Sequence, residues 1–181
     1  VDTLSMGEKE FFWIMRYRDD VELIQEQMML SSETVRNICE EHGFRIPRNV
    51  LSTDFLITFR NGSRIAYSIK SGAEEFNPDS PKYQTLLVRQ CIEMEYWTRY
   101  GIDFRIVLRE NLNKTLAVNI EHCMAYYDSA HVTGTETMLK YLVAHKAVSI
   151  PMDGEIVRFA SLVRGNEENI RETYRRYRDG K

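Results

Sequence analysis

A carboxylate and a lysine stand at the same end of a sequence pattern that is typical of a β-hairpin. Asp54 opens one alternating run and Lys70 ends the next, and Asn61-Gly62 between them is a strong turn signal. An aspartate binds a hard cation through oxygen, and a neighbouring lysine can orient water and offset charge that develops on a phosphate. The pair is therefore typical of metal-dependent phosphodiester cleavage.

The register of the predicted hairpin decides whether these two side chains meet. A period of two puts six odd-numbered apolar residues on one face, which we predict to be the core: Phe55, Ile57, Phe59, Ile65, Tyr67 and Ile69. A three-residue loop, 61–63, keeps both apolar sets on that face and sets Asp54 opposite Lys70, whereas a two-residue loop does not. A cross-strand salt bridge without a catalytic role is the alternative interpretation, and sheets use such pairs often.

A second acid lies in the first predicted helix, which opens with the capping box Ser5-x-x-Glu8 and runs to about Arg18. Helical spacing predicts that Glu8 lies in the middle of the apolar stripe and that Glu10 lies to its side. An inward carboxylate is costly unless it has a partner. Two roles for Glu8 stay open: a reciprocal helix cap, or an acid held toward a metal ion.

Composition bounds the class of protein. The chain has 181 residues, 43% of them hydrophobic, which is enough for one core and a small appendage. The net charge of −3 means that any DNA binding must come from a local basic face. We find no membrane-spanning run, signal peptide pattern or zinc-site spacing. Cys39, Cys91 and Cys123 fit buried free thiols in a reducing compartment, so we expect a cytoplasmic protein.

The pattern along the chain predicts two domains. Residues 1–113 read helix, strand, helix, hairpin, helix, strand, which is an α/β arrangement around a small mixed sheet. Residues 114–181 are mainly helical, with helices expected at 114–127, 134–146, 154–164 and 166–178. Residues 147–151 fit a short wing-like extended piece.

Several basic residues are candidates for contact with a DNA backbone. They lie in the long helix predicted at 82–100 and in the tail, where arginines alternate with tyrosines: Lys82, Arg89, Arg171, Arg175, Arg176 and Arg178. The alternative is that these charges are solvated, as most exposed charges on helices are.

Three separated pieces of the sequence fit one family. They are Ser5-x-x-Glu8 with Glu26-Gln27; Ser52-Thr53-Asp54-Phe55-Leu56-Ile57 with Asn61-Gly62 and Ser68-Ile69-Lys70; and Ile92-Glu93-x-Glu95-Tyr96-Trp97 with Tyr100-Gly101-Ile102-Asp103. Their order and approximate spacing hold over residues 5 to about 122. In these pieces the chain resembles the TnsA-type transposon-end endonucleases, a branch of the restriction-endonuclease-like nuclease fold.

The resemblance implies a fold and a set of site residues. The fold is a restriction-endonuclease-like core with a small mixed sheet flanked by helices, followed by a small, mainly helical, winged-helix-like C-terminal domain. Glu8 and Asp54 become the acids that bind Mg2+ (or Mn2+), the main-chain carbonyl of Ile69 a further ligand, and Lys70 the catalytic lysine. Ser68 stands where the wider fold usually has Glu or Gln, and its hydroxyl can orient water but binds a cation poorly.

The resemblance also implies an activity. It is a metal-dependent cut of double-stranded DNA on the 5′ side of each transposon end, made beside a DDE-type transposase partner, with an AAA+ regulator contacting the C-terminal domain. Two alternatives stay open. One is a phage or mobile-element nuclease of the same fold that acts without a transposase, and the other is a catalytically silent DNA-binding or assembly module.

Overall fold

The computed structural model describes residues 4–180 and divides the chain into two compact units, one that ends at Leu112 and one that begins at Asn113. The first unit contains α1 (Met6–Arg16), β1 (Val21–Met29), α2 (Ser32–His42), β2 (Ser52–Phe59), β3 (Arg64–Lys70), α3 (Tyr83–Arg99) and β4 (Asp103–Leu108), with two short 3-10 helices (Ala73–Phe76 and Arg109–Asn111). The second unit contains α4 (Lys114–Met124), α5 (Thr135–Ala144), α6 (Phe159–Val163) and α7 (Glu167–Asp179).

The four strands form one mixed sheet in the order β1-β2-β3-β4. The first three strands pair in an antiparallel manner, and β3 pairs in parallel with β4. A parallel pair needs a long crossover, which α3 supplies. The arrangement confirms the predicted α/β class.

Both faces of the central hairpin, β2 and β3, are largely buried. The odd-numbered residues of the hairpin, such as Phe55 and Ile57, pack with Phe11 of α1. The even-numbered Leu56 and Ala66 are also buried, and they pack with residues of α2 and α3. The odd face is core as predicted, and a second helical layer covers the even face as well.

The hairpin register differs from the predicted one by two residues. Phe55 pairs with Tyr67, and the loop between the strands holds residues 60–62 rather than 61–63. The two strands keep the predicted parity, but Asp54 does not lie opposite Lys70. The cause is Arg60, whose backbone N–H donates to the Asp20 carbonyl at 2.9 Å, so that Arg60 belongs to the turn rather than to the ladder.

The second unit has its own core, in which Ile120, Leu142 and Phe159 are buried. Asn119 is fully buried and ties the segment before α6 to α4 through three hydrogen bonds. Its Nδ2 donates to the carbonyls of Met152 (2.7 Å) and Glu155 (2.8 Å), and its Oδ1 accepts from the Val157 N–H (2.9 Å). Residues 147–151 form no strand, so the structure does not confirm the wing-like piece.

The structure also bears on the expectations for membrane-spanning segments and for the three cysteines. None of the helices within residues 4–180 has the length and apolar character needed to cross a membrane. Cys39 and Cys123 are buried free thiols as predicted, but Cys91 is exposed on α3, so the prediction was wrong for that residue.

Candidate active site

The candidate site lies where β2 and β3 separate. The backbone ladder between them ends at the Phe55–Tyr67 pair. Just beyond it, Oδ2 of Asp54 accepts a hydrogen bond from the Ile69 N–H at 2.6 Å and a longer one from the Ser68 hydroxyl at 3.4 Å. The carboxylate therefore takes the place of a strand carbonyl as acceptor, which fixes Asp54 at the divergence of the two strands.

Lys70 belongs to the same cluster. Its Nζ donates to Ser68 Oγ at 2.8 Å and to the Ile69 carbonyl at 3.4 Å. Among the described side chains, Asp54 and Lys70 form no direct ion pair, so the simple salt bridge is not what the structure contains. The three side chains form a chain in which Lys70 donates to Ser68 and Ser68 donates to Asp54.

The surroundings of Asp54 disfavour its ionised form. Burial raises the pKa of its carboxyl above the ordinary value, and the nearby negative charge of Glu8 adds to that rise. The Ile69 N–H and the positive charges of Lys70 and Arg89 act in the opposite direction without cancelling it. A cation bound at Asp54 would offset the remaining cost of the buried charge.

Glu8 is half-buried in the first turn of α1 and does form the capping box. Its Oε2 accepts from the Ser5 N–H at 2.6 Å, and Ser5 Oγ accepts from the Glu8 N–H at 3.3 Å. Its other oxygen, Oε1, accepts from Gln27 Nε2 at 2.9 Å. The capping role is confirmed, and the metal-binding role stays a prediction.

The buried acid of α1 is Glu10, not Glu8. Glu10 accepts two hydrogen bonds from the Arg109 guanidinium, at 2.7 and 2.9 Å. The prediction of an inward Glu8 and a lateral Glu10 was wrong because α1 meets the sheet through Gly7. A Cβ at Gly7 would lie 3.2 Å from the Ile69 side chain, and this close approach sets the rotation of the helix.

Gln27 is a site residue to which the sequence reasoning assigned no role. Its Nε2 donates to Glu8, and its Oε1 accepts from Ser52 Oγ at 3.2 Å, so it links α1, β1 and β2. Its backbone has a φ of 49°, a left-handed conformation that costs a non-glycine residue roughly 1–2 kcal/mol. The sequence contains no local signal for this conformation, although the Glu26-Gln27 pair was part of the family resemblance.

A buried polar network holds α3 against the start of β2, next to Asp54. Glu93 is fully buried and accepts hydrogen bonds from Arg89 Nε (3.0 Å) and Thr53 Oγ1 (2.9 Å). The Thr53 hydroxyl in turn accepts from Trp97 Nε1 at 2.8 Å. Burial raises the pKa of Glu93, while its bonds to Arg89 and Thr53 act to lower it. The i, i+4 spacing of Arg89 and Glu93 was the available sequence signal.

The remaining predicted basic residues have different surroundings. Lys82 is exposed at the start of α3, and Arg171 is exposed on α7. On α7, Arg175 pairs with Glu168 at 3.9 Å and Arg176 pairs with Glu172, whereas the Arg178 guanidinium lies 5.7 Å from the centre of the Tyr141 ring. The part of these residues in DNA binding stays a prediction.

The donor set at the site fits a hard cation. Asp54 and Glu8 offer carboxylate oxygens, and Ile69 offers a carbonyl oxygen. Within residues 4–180 no three or more His, Cys, Asp or Glu side chains are grouped so that they could hold a metal ion, so this site has to rely on its two carboxylates and on ligands of other kinds. Mg2+ commonly keeps several waters and is held by one or two carboxylates together with substrate phosphates, so two carboxylates are a suitable number.

Comparison with known protein families identifies the fold that carries this site. Residues 18–109, more than half of the chain, match the model of the TnsA-like endonuclease N-terminal domain. The chain belongs to the TnsA-like endonuclease family. This confirms the predicted family and supports a nuclease role in transposition. Asp54, Ser68, Lys70 and Glu93 of this TnsA-like domain lie inside the match, and Glu8 precedes it. No curated protein matches the chain.

Proposed function

We propose that this TnsA-like protein is a Mg2+-dependent DNA endonuclease that cuts the 5′ side of transposon ends. The observation that carries the proposal is the chain Lys70–Ser68–Asp54 at the point where β2 and β3 diverge, with the charge of Glu8 close enough to affect Asp54. Family membership supports the nuclease chemistry. The metal, the strand that is cut and the partners are parts of the proposal.

The family resemblance and the contacts of each residue together support a role for it in the proposed reaction. Asp54 and Glu8 would hold the cation, with the Ile69 carbonyl as a further ligand. When bound, the cation supplies Lewis-acid polarisation of the scissile phosphate. Lys70 donates to the attacking water and offsets negative charge in the transition state, and its hydrogen bond to Ser68 holds its ammonium in position beforehand.

Ser68 determines how many ions the site would take. Its hydroxyl already donates to Asp54 and accepts from Lys70, and a neutral hydroxyl is a weaker ligand for Mg2+ than a carboxylate. With two carboxylates in place, we propose that one cation is bound before DNA arrives. Water and a DNA phosphate oxygen would complete its ligand shell.

The proposed partners follow from the family rather than from the geometry. A DDE-type transposase would cut and join the other DNA strand, and an AAA+ regulator would contact the second unit, from Asn113 onward. Co-purification of the chain with the transposase of the same element tests this part. A chain that cuts transposon ends without any transposase would instead support the stand-alone nuclease.

Calorimetric titration with Mn2+ tests the metal site directly. We expect the wild type to bind one Mn2+, and Asp54→Ala and Glu8→Ala to lose that binding while their circular dichroism is unchanged. Asp103→Ala is the matched control, because Asp103 is exposed and pairs with Ile65, at the opposite end of β3 from Lys70. Loss of binding in the control as well, or none in the wild type with duplex DNA present, would reject the site.

Lys70→Ala separates catalysis from metal binding. We expect this variant to bind Mn2+ like the wild type and to lose cleavage of transposon-end DNA by a factor of about 10² or more. The assay includes the transposase partner, since DNA recognition can reside there. Cleavage at the wild-type rate would contradict the role of Lys70.

A further inference from the structure

A groove of about 890 Å3 lies beside the candidate site, between the connector 45–51 and the first half of α3. Ser52 lines the groove two residues before Asp54 in β2, and Arg89, which also lines it, is close enough for its charge to act on Asp54. The groove therefore lies next to the candidate site. The connector forms no helix or strand. It carried no function in the sequence reasoning.

The charge of the groove is of one sign. Three arginines line it, Arg45, Arg48 and Arg89, and none of the described residues that line it is acidic. Arg45 and Arg48 are exposed, and within residues 4–180 neither has a hydrogen-bonding or ion-pair partner. In a chain with a net charge of −3, such a concentration of uncompensated positive charge is a local feature that favours an anionic ligand.

Two hydrogen bonds hold the Arg89 guanidinium in place. Its Nε donates to the fully buried Glu93 and its Nη2 donates to the Ser52 carbonyl at 3.1 Å, yet the side chain is 42% exposed. A guanidinium has five N–H donors, so further donors remain for a ligand in the groove. A guanidinium fixed in this way loses little conformational freedom when it binds a phosphate.

We propose that this groove binds the DNA backbone that flanks the scissile phosphate, with Arg45, Arg48 and Arg89 each neutralising a phosphate. The inference rests on the proposed nuclease function and extends it by naming the path of the substrate. The polar side chains of Asn49, Gln84 and Thr85 in the same wall suit phosphate and sugar contacts. An acidic protein segment would find the same charge, but the nearness of Ser52 and Arg89 to Asp54 favours the substrate itself.

Salt-dependent DNA binding tests the proposal. Fluorescence anisotropy with a labelled duplex, in EDTA so that no cleavage occurs, gives the slope of log K against log salt concentration. Each lost phosphate contact reduces that slope by about 1, so Arg45→Ala/Arg48→Ala should flatten it by about 2 and weaken binding roughly tenfold or more at low salt. Arg45→Lys/Arg48→Lys should retain the slope, because lysine keeps the charge.

The control is Arg64→Ala/Arg105→Ala, which removes two exposed arginines outside the groove. We expect the control to keep the wild-type slope. An unchanged slope in Arg45→Ala/Arg48→Ala, an equal flattening in the control, or no DNA binding by the wild type would overturn the proposal. Unchanged DNA binding would leave a protein partner as the occupant.

Mn2+ titration and cleavage of the same variants separate this inference from the proposed function. Arg45→Ala/Arg48→Ala should bind Mn2+ like the wild type, because neither arginine touches the metal-binding acids. A normal slope alongside intact Mn2+ binding and cleavage rejects the groove and leaves the nuclease. If the wild type neither binds Mn2+ nor cuts DNA, but Arg45→Ala/Arg48→Ala still flattens the salt slope of DNA binding, the groove is retained and the nuclease function is rejected.

Discussion

Thr53 shows how much a single hydroxyl contributes at the edge of the site. It donates to Glu93 and accepts from Trp97, and all three residues are buried. No water reaches these groups to replace a lost bond. The residue next to Asp54 therefore anchors the start of β2 to α3 through one oxygen atom.

Thr53→Val is expected to lower the free energy of unfolding by about 2–4 kcal/mol, because it leaves one oxygen of the buried Glu93 carboxylate and the buried indole N–H of Trp97 each without a partner. Urea denaturation measures the change. Thr58→Val is the matched control on the same strand, since the Thr58 hydroxyl is half-buried and has no hydrogen-bonding partner among residues 4–180. Equal losses in the two variants would contradict the role of the network.

At the scale of elements, α1, β1 and β2 meet through Gln27. The left-handed backbone at this residue aims its amide at both Glu8 and Ser52. Strained conformations of this kind cluster at functional sites, where the surrounding contacts hold them. Because Gln27 is exposed and its amide contacts Glu8 and Ser52, we expect this conformation to serve the position of Glu8.

Gln27→Gly is expected to leave the free energy of unfolding unchanged or raise it by up to about 1 kcal/mol, because glycine adopts the left-handed conformation without cost. The same substitution should weaken Mn2+ binding, since Glu8 loses an orienting partner. Gln25→Gly, in the same strand with an ordinary conformation, should instead lose about 1 kcal/mol and keep its Mn2+ affinity. A Gln27→Gly protein with normal Mn2+ affinity would separate Gln27 from the site.

The elements also show which features were predictable from the sequence. The hairpin, its face and the capping box depend on residues close in sequence, and alternation or spacing reveals them. The register depended on Arg60 bonding to residues 19 and 20. The rotation of α1 depended on the close approach of Gly7 to Ile69, two residues that lie far apart in the sequence. Contacts of that range leave no periodic signal, so the identities of the site residues were accessible while their exact neighbours were not.

At the scale of the whole molecule, the two units have separate cores, and a spectroscopic signal distinguishes the first unit from the second. Both tryptophans of the chain, Trp13 and Trp97, lie in the first unit. Asn119, itself fully buried, ties the second unit together with three hydrogen bonds. Fluorescence therefore follows the first unit, while far-ultraviolet circular dichroism follows both.

Asn119→Ala is expected to destabilise the second unit by about 3 kcal/mol or more, because it leaves two carbonyls and one N–H unpaired. Denaturant titration should show an earlier transition by circular dichroism and an unchanged one by tryptophan fluorescence. Asn169→Ala, at an exposed position of α7, should change neither signal. An equal shift of both signals in Asn119→Ala would show that the units unfold together.

The parallel pairing of β3 with β4 has a consequence for how the protein is made. Lys70 pairs with Leu108, so β3 remains an open edge on a nascent chain until α3 and β4 have been synthesised. Open strand edges invite pairing with other chains, and translation exposes this one for the whole length of the crossover. The strand that carries the lysine thus gains its second neighbouring strand only when the crossover and β4 are complete.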